Sequence, residues 1–339
     1  MIKRVYKVLF LFVLVFCFWN CNSIWYGVQQ GRGQFSILYR AEPVEFFLSD
    51  TEYPDSLKEK LLLIRDIKKF AIDSLGIKPS DNYEKLYDQK GLPVMWVVTA
   101  SDKYKLRSYY WKFPILGKFS YKGFFNEKKA SEEAEKLKQQ GYDTDIGIVN
   151  AWSTLGWFKD PIMSSMLKKS PGQLARVIIH ELTHSTLYVK NDIQFNENLA
   201  SFVGDKGAIL FLYWKYGKAS IEVKDYLGDF SDMEKVRNHL LLGTEYLNRF
   251  YADVDSVKIK NEKQEQIKMV ILSLDTLSLY NKYKLKSIIE NSDSINNTFF
   301  TDFATYRKDQ NSLEEEFKND FNSDFSSYLN YLKNKYPSL

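Results

Sequence analysis

The chain of 339 residues contains only three histidines, and two of them fall within five residues: His180-Glu181-Leu182-Thr183-His184. Residues four apart share one face of an α-helix, so both imidazoles can reach a single point. Glu181, one step round, can approach whatever is held there. The pattern His-Glu-x-x-His offers two nitrogen ligands for a zinc ion and a carboxylate able to take a proton from water beside it. The flanking residues favour a helix. Ser170 is a good N-cap and Pro171 suits the first helical position. Leu174, Val177, Ile178, Leu182 and Val189 then recur at helical spacing, with no proline or glycine after Gly172 to interrupt them. The predicted helix extends to about Val189.

A structural zinc site takes four protein ligands, usually with cysteines, whereas a catalytic one takes three and keeps a position open. Both cysteines, Cys17 and Cys21, lie in the first 21 residues. The third ligand must therefore be Asp, Glu or His239. Glu197 is the best placed, thirteen residues beyond His184 and after the polar turn Lys190-Asn191-Asp192. A second helix starting there can return antiparallel and present Glu197 to the metal. The competing reading of Glu197 is an ordinary acid near a helix N-terminus, where the macrodipole favours it. Ser201, one turn on, either supports a ligand by a hydrogen bond or is a small packing residue.

His180-Glu181-x-x-His184 followed by Asn196-Glu197-x-x-Ala200-Ser201-Phe202 resembles the gluzincin metallopeptidases, and more narrowly a family of bacterial lipoproteins described as putative aminopeptidases. The resemblance extends to Trp25-Tyr26 with Gln30 and Gly33-Gln34, to Tyr121-Lys122-Gly123-Phe124-Phe125, and to Ser153-Thr154-Leu155-Gly156-Trp157-Phe158 with Asp160-Pro161. Leu187-Tyr188-Val189-Lys190 belongs to it as well. It runs from about residue 21 to 215, with Asn296-Asn297 and Tyr306 as its echoes further on. It implies a zincin-like α+β fold: a small sheet, an active-site helix and a mainly helical C-terminal half. It also implies one Zn²⁺ held by His180, His184 and Glu197, Glu181 as general base, and peptide substrates. The interval from His184 to Glu197 is shorter than in better-known gluzincins.

An oxyanion formed from a peptide carbonyl needs a further donor. Tyr251, Tyr306 and His239 are the candidates; Tyr306 is preferred because it falls in a family-like segment, while His239 reads as part of an exposed helix turn. Zincins commonly align substrate along a sheet-edge strand. Asn150-Ala151-Trp152-Ser153-Thr154-Leu155 precedes the metal helix in the right order for that role, or is an ordinary buried strand and turn.

The N-terminus carries an address. Lys3, Arg4 and Lys7 form a basic region with no acid before residue 42, and Val8 to Trp19 is an almost wholly apolar stretch. Twelve residues are too few to span a bilayer comfortably and suit a signal peptide. Cys21 follows directly, which points to a bacterial lipoprotein cleaved before Cys21 and acylated on it. Phe18-Trp19-Asn20 is an unusual approach to such a cysteine, Cys17 is the rival acceptor, and an uncleaved short anchor is the competing reading. Either version places residues 21–339 outside the cytoplasm, against a membrane, with residues 1–20 as the signal.

The charge balance agrees. The chain holds 47 Lys+Arg against 43 Asp+Glu, and the first 20 residues account for three of the bases and none of the acids. The remainder is nearly neutral, without the positive field that nucleic-acid binding requires. Oligomeric state is not legible. With 24 Phe and 23 Tyr, the chain can bury a large core.

Periodicity predicts helices over 23–40 and over 55–75, the latter capped by Asp55 and stopped at Gly76. Strands are expected at Leu92–Ala100, at Leu106–Phe113 and from Tyr142 to Trp152. Between the last two, Asn126 should cap an amphipathic helix ending at Gly141. Helices dominate beyond residue 193, with 208–214 as core and not membrane. The expectation is a single catalytic domain: a helical segment and sheet to about 160, metal-site helices over 171–217, and a helical remainder. The functions in view are an aminopeptidase, an endopeptidase of the cell envelope, or a lipoprotein binding module with a vestigial metal site.

Overall fold

The computed structural model describes residues 21–113, 117–149, 159–190, 192–305 and 310–336. The protein is α+β, with small sheets and a helical C-terminal half. In chain order the elements are α1 (Cys21–Arg40), β1 (Glu42–Pro43), α2 (Val44–Ser49), α3 (Asp55–Asp73), β2 (Lys85–Tyr87), β3 (Met95–Asp102), β4 (Trp111–Phe113), β5 (Gly117–Phe119) and β6 (Tyr121–Phe124). These are followed by α4 (Glu127–Gln139), β7 (Tyr142–Val149), β8 (Ile162–Met163), α5 (Pro171–His184), α6 (Ile193–Tyr216), α7 (Ile221–Asp253) and α8 (Ser256–Leu272). Four shorter helices complete the described chain: α9 (Lys286–Glu290), α10 (Asn297–Thr305), α11 (Gln310–Asn319) and α12 (Phe325–Lys335).

The central sheet is antiparallel in the order β6-β3-β7, with Val97 opposite Gly123 on one side and Gly147 on the other. Alternation along β3 sends Val98 and Ala100 to one face, where they pack with Trp111, Phe124 and the α4 residues Ala130, Ala134 and Leu137. Asn126 caps α4 as expected, accepting from Lys129 N at 3.1 Å. Two family-like segments meet at the β6 edge. Tyr26 Oη and Gln30 Nε2 of α1 both donate to Gly123 O, at 2.8 and 3.0 Å. Gly33 lies so close to the Phe125 ring that any side chain there would collide with it.

The largest core joins α3, α5, α6, α11 and α12 through residues such as Ile64, Ile67, Ile178, Leu182, Phe211 and Tyr328. Residues 208–214 sit inside α6, with Ala208, Phe211 and Leu212 in this core. No described helix is long and apolar enough to cross a membrane. A second cluster joins α7, α8 and α10 around Leu247, Ile267, Ile271 and Phe300.

Three elements depart from expectation at their boundaries. Pro54, and not Asp55, occupies the cap position of α3, its carbonyl accepting from Leu57 N and Lys58 N. Asp55 is the first helical residue, where its charge faces the helix dipole and Lys58 at 3.6 Å. That helix stops at Asp73, two residues early, and Gly76 adopts the left-handed conformation in the following turn. Strand β4 begins only at Trp111, because residues 103–110 form turns joined to β3 by the Ser101–Ser108 bridge. The third difference, the end of α5, shapes the candidate site.

Candidate metal centre

Helix α5 begins as the sequence predicts. Ser170 and Gln173 form a reciprocal capping box, with Pro171 at the first turn. The helix ends at His184 and does not reach Val189. Side-chain hydroxyls compete for its last carbonyls: Thr183 Oγ1 donates to Ile179 O at 2.7 Å, and Ser185 Oγ and Thr186 Oγ1 both donate to Leu182 O, at 2.8 and 3.2 Å. Asn196 then grips the extended chain at Val189 from both sides. Its Oδ1 accepts from Val189 N at 2.7 Å and its Nδ2 donates to Val189 O at 2.8 Å. Asp192 caps α6, accepting from Phe195 N at 3.0 Å. The chain therefore reverses within a few residues and Glu197, next to Asn196, faces α5.

The two helices approach closely because α6 carries glycine where they touch. A side chain at Gly204 would reach within 2.9 Å of Arg176 O and 3.1 Å of His180 Cβ, backbone and rigid stem that cannot move aside. Across this contact, His180, His184 and Glu197 converge, with one donor atom of each lying within 4.8 Å of the others. His180 Nε2 stands 3.4 Å from Glu197 Oε2, and His184 Nε2 stands 3.5 Å from Glu197 Oε1. Two ligand atoms each about 2.0–2.1 Å from a tetrahedral ion would be separated by about 3.3–3.4 Å. The spacing of this group fits that requirement, so it could hold a metal ion.

The protonation states suit the same purpose. Burial, reinforced by His180 and opposed by Glu197, holds His184 down to about 4, leaving a neutral imidazole with a lone pair to give. Burial pushes the Glu197 carboxyl up, yet its hydrogen bond with His180 and the fields of His184 and His180 outweigh this and keep it below the usual range. Ser201 Oγ lies 3.4 Å from His180 Nδ1, the ring nitrogen turned away from Glu197. Of the two readings of Ser201, the structure favours support of the imidazole. His184 Nδ1 is buried and has no hydrogen-bond partner among the described residues.

Two tyrosines not assigned a role from the sequence border the centre. Tyr83, buried in the main core, has its hydroxyl pushed well above its ordinary range by burial and by the charges of Glu181 and Asp160. Its backbone is left-handed, with φ of 66°, and its N–H donates to Asp160 O at 2.8 Å. Tyr121 on β6 is pushed up by desolvation and by the charge of Glu197, so the sheet edge lies within reach of that carboxylate's field. Tyr121 could have been found from its place in the family-like segment 121–125.

Tyr251 donates to Asn297 Oδ1 at 2.7 Å within the second core. His239 is half-buried and not on an exposed turn, with Nε2 at 2.9 Å from Ser273 Oγ. Ala151, Trp152, Ser153, Thr154 and Tyr306 lie outside the described residues, as do residues 1–20 and the rest of the segment 150–158; no side-chain contact is described for Cys21.

Over residues 25–335 the chain matches the family described as putative aminopeptidase. The chain belongs to that family. No curated protein and no solved structure matches it. Membership in the aminopeptidase family supports peptidase chemistry in general, a hydrolysis for which a metal-binding His-His-Glu group beside a second glutamate is chemically apt.

Proposed function

We propose that the protein is a zinc-dependent metallopeptidase, acting as an aminopeptidase at the outer face of a bacterial membrane. The observation that carries this reading is the convergence of two imidazole nitrogens on one carboxylate, whose two oxygens lie 3.4 and 3.5 Å from them. That donor set, with three protein ligands and none of them sulfur, is the set of a catalytic and not a structural zinc site. Bound zinc supplies Lewis acidity, polarising the substrate carbonyl and acidifying the attacking water.

The chain's own groups do the rest. His180, His184 and Glu197 hold the ion, and Ser201 fixes the ring of His180 through Nδ1. Glu181, half-buried on the same stretch of α5, takes the proton from the attacking water and passes it to the leaving amine. Specificity for free N-termini rests on family membership.

Metal analysis of the purified protein should give about one zinc per chain, absent in His180→Ala. Glu181→Gln should keep the zinc and lose hydrolysis; unchanged hydrolysis would remove the base assignment. Equal cleavage of peptides with free and acetylated N-termini would end the aminopeptidase reading in favour of an endopeptidase.

The location is read from the N-terminus: the basic residues Lys3, Arg4 and Lys7, the apolar stretch from Val8, and Cys21 as acceptor of lipid. Helix α1 continues directly from it and leaves Trp25, Val28, Phe35 and Tyr39 exposed, a face suited to a bilayer surface. Cys21→Ser should move the protein out of the membrane fraction, and retention there would show that the anchor lies elsewhere.

A further inference from the structure

Between Gly172 and Leu182, the side chains of α5 that are not fully buried are Gln173, Arg176, Val177, His180 and Glu181. They fall on one stripe at helical spacing, so one partly open face of α5 leads from the metal group towards the helix N-terminus. One turn, about 6 Å, separates Val177 from Glu181. Gln173, Arg176 and Val177 of that face line a cavity of about 330 Å³ between α5, α7 and the chain at 279–285. Its volume is at the lower end of small-ligand pockets.

The walls of the cavity are apolar: Val177, Phe230, Met233, Val236, Leu279 and Leu285. Four of its charged side chains are already engaged. Arg176 pairs with Asp205, Asp229 with Lys284, and Asp232 accepts from Tyr280 N and Asn281 N, both at 2.7 Å. What the cavity offers a newcomer is therefore mainly apolar contact, with Lys169 and Asn281 Oδ1, which has no hydrogen-bond partner among the described residues, beside it; its size excludes a whole peptide.

We infer that this cavity receives a large apolar or aromatic side chain of the peptide, next to the bond that is cut, and so sets side-chain preference. The inference rests on the metallopeptidase reading for the identity of the ligand and on the shared face of α5 for its position. Small side chains would leave the cavity unfilled and forgo the contact.

The test compares peptides that carry Phe or Leu against Ala on either side of the cleaved bond. Met233, on the exposed side of α7, is changed to Trp to fill the cavity, with Leu279→Trp as a second variant reaching it from the other wall. Both variants should lower kcat/KM for the Phe and Leu peptides by about tenfold or more while leaving the Ala peptides within about twofold. An equal loss across all peptides, or none, overturns the assignment. Should the wild type cleave no peptide, the metallopeptidase reading has failed and the cavity is judged by binding alone. The probe is then N-acetyl-4-fluorophenylalaninamide, followed by fluorine NMR. Binding abolished by Met233→Trp supports the cavity as an apolar side-chain site, and binding that is absent or indifferent to the variant overturns it.

Discussion

At the level of single residues, the centre depends on which nitrogen of each ring is free. His180 turns Nε2 towards Glu197 and Nδ1 towards Ser201 Oγ, whereas His184 Nδ1 has no hydrogen-bond partner among the described residues. Only one of the two imidazoles has a hydroxyl holding its orientation. Ser201→Ala should therefore weaken zinc binding by about tenfold, the lower end of the effect of removing such a support, while the fold stays intact. Competition with a chromogenic chelator measures it, and an affinity equal to wild type would return Ser201 to a packing role. The histidines and Glu181 were legible from sequence because histidine is scarce and helical spacing is local. Tyr83 was not. Its relation to Glu181 depends on the docking of residues 82–83 on Asp160, whose N–H donates to Asn82 Oδ1 at 3.1 Å, and tyrosine is too common here to signal anything by itself.

The helix pair α5 and α6 shows why the boundary between elements mattered more than the elements. Capping at Ser170 and the periodic apolar residues predict where α5 starts, and the structure agrees. Its end was overestimated because nothing in the run up to Val189 breaks a helix by propensity. The cause lies seven residues further on, in the two hydrogen bonds from Asn196 to Val189. A continued α5 would carry Val189 away from Asn196 and point Glu197 elsewhere. The clamp thus determines the third donor's position without touching it. Asn196→Ala would leave the half-buried N–H of Val189 without a partner and its C=O with only Asp192 N at 3.4 Å, and should cost about 1–3 kcal/mol in chemical denaturation. Zinc affinity should fall with it, since the turn presenting Glu197 loosens. A variant with lowered stability and undiminished zinc binding would show that the Asp192 cap positions Glu197 by itself.

At the scale of the molecule, the helical half is tied to the central sheet by a buried polar knot that no sequence pattern announces. Lys263 of α8 pairs with Asp143 of β7, and both side chains are nearly enclosed, at 9% and 11% exposure. Asp143 also accepts from Asn297 N at 3.2 Å, and Asn297 Nδ2 donates to the carbonyl of Asp102 at 3.0 Å, the last residue of β3. Tyr251 of α7 closes the knot through Asn297 Oδ1. The echo at Asn296-Asn297 was visible in the sequence, but its partners lie far apart in the chain and only the fold assembles them. Burial holds the Lys263 ammonium below its ordinary range in spite of Asp143, so desolvation outweighs the pairing. Such a pair is weak evidence of net stability, yet breaking one side strands a charge. Lys263→Met should cost about 3–5 kcal/mol by chemical denaturation, because Asp143 then stays buried with only the Asn297 N–H facing it. Adding Asp143→Asn removes the stranded charge and keeps an acceptor for Asn297, so the double variant should recover most of the loss. Were the single variant within about 1 kcal/mol of wild type, the ammonium would be reaching solvent and the pair would rank with surface ion pairs. The attachment of the helical half would then rest on Asn296, whose Nδ2 donates to Thr144 O at 3.0 Å, on Asn297 and on the second apolar core.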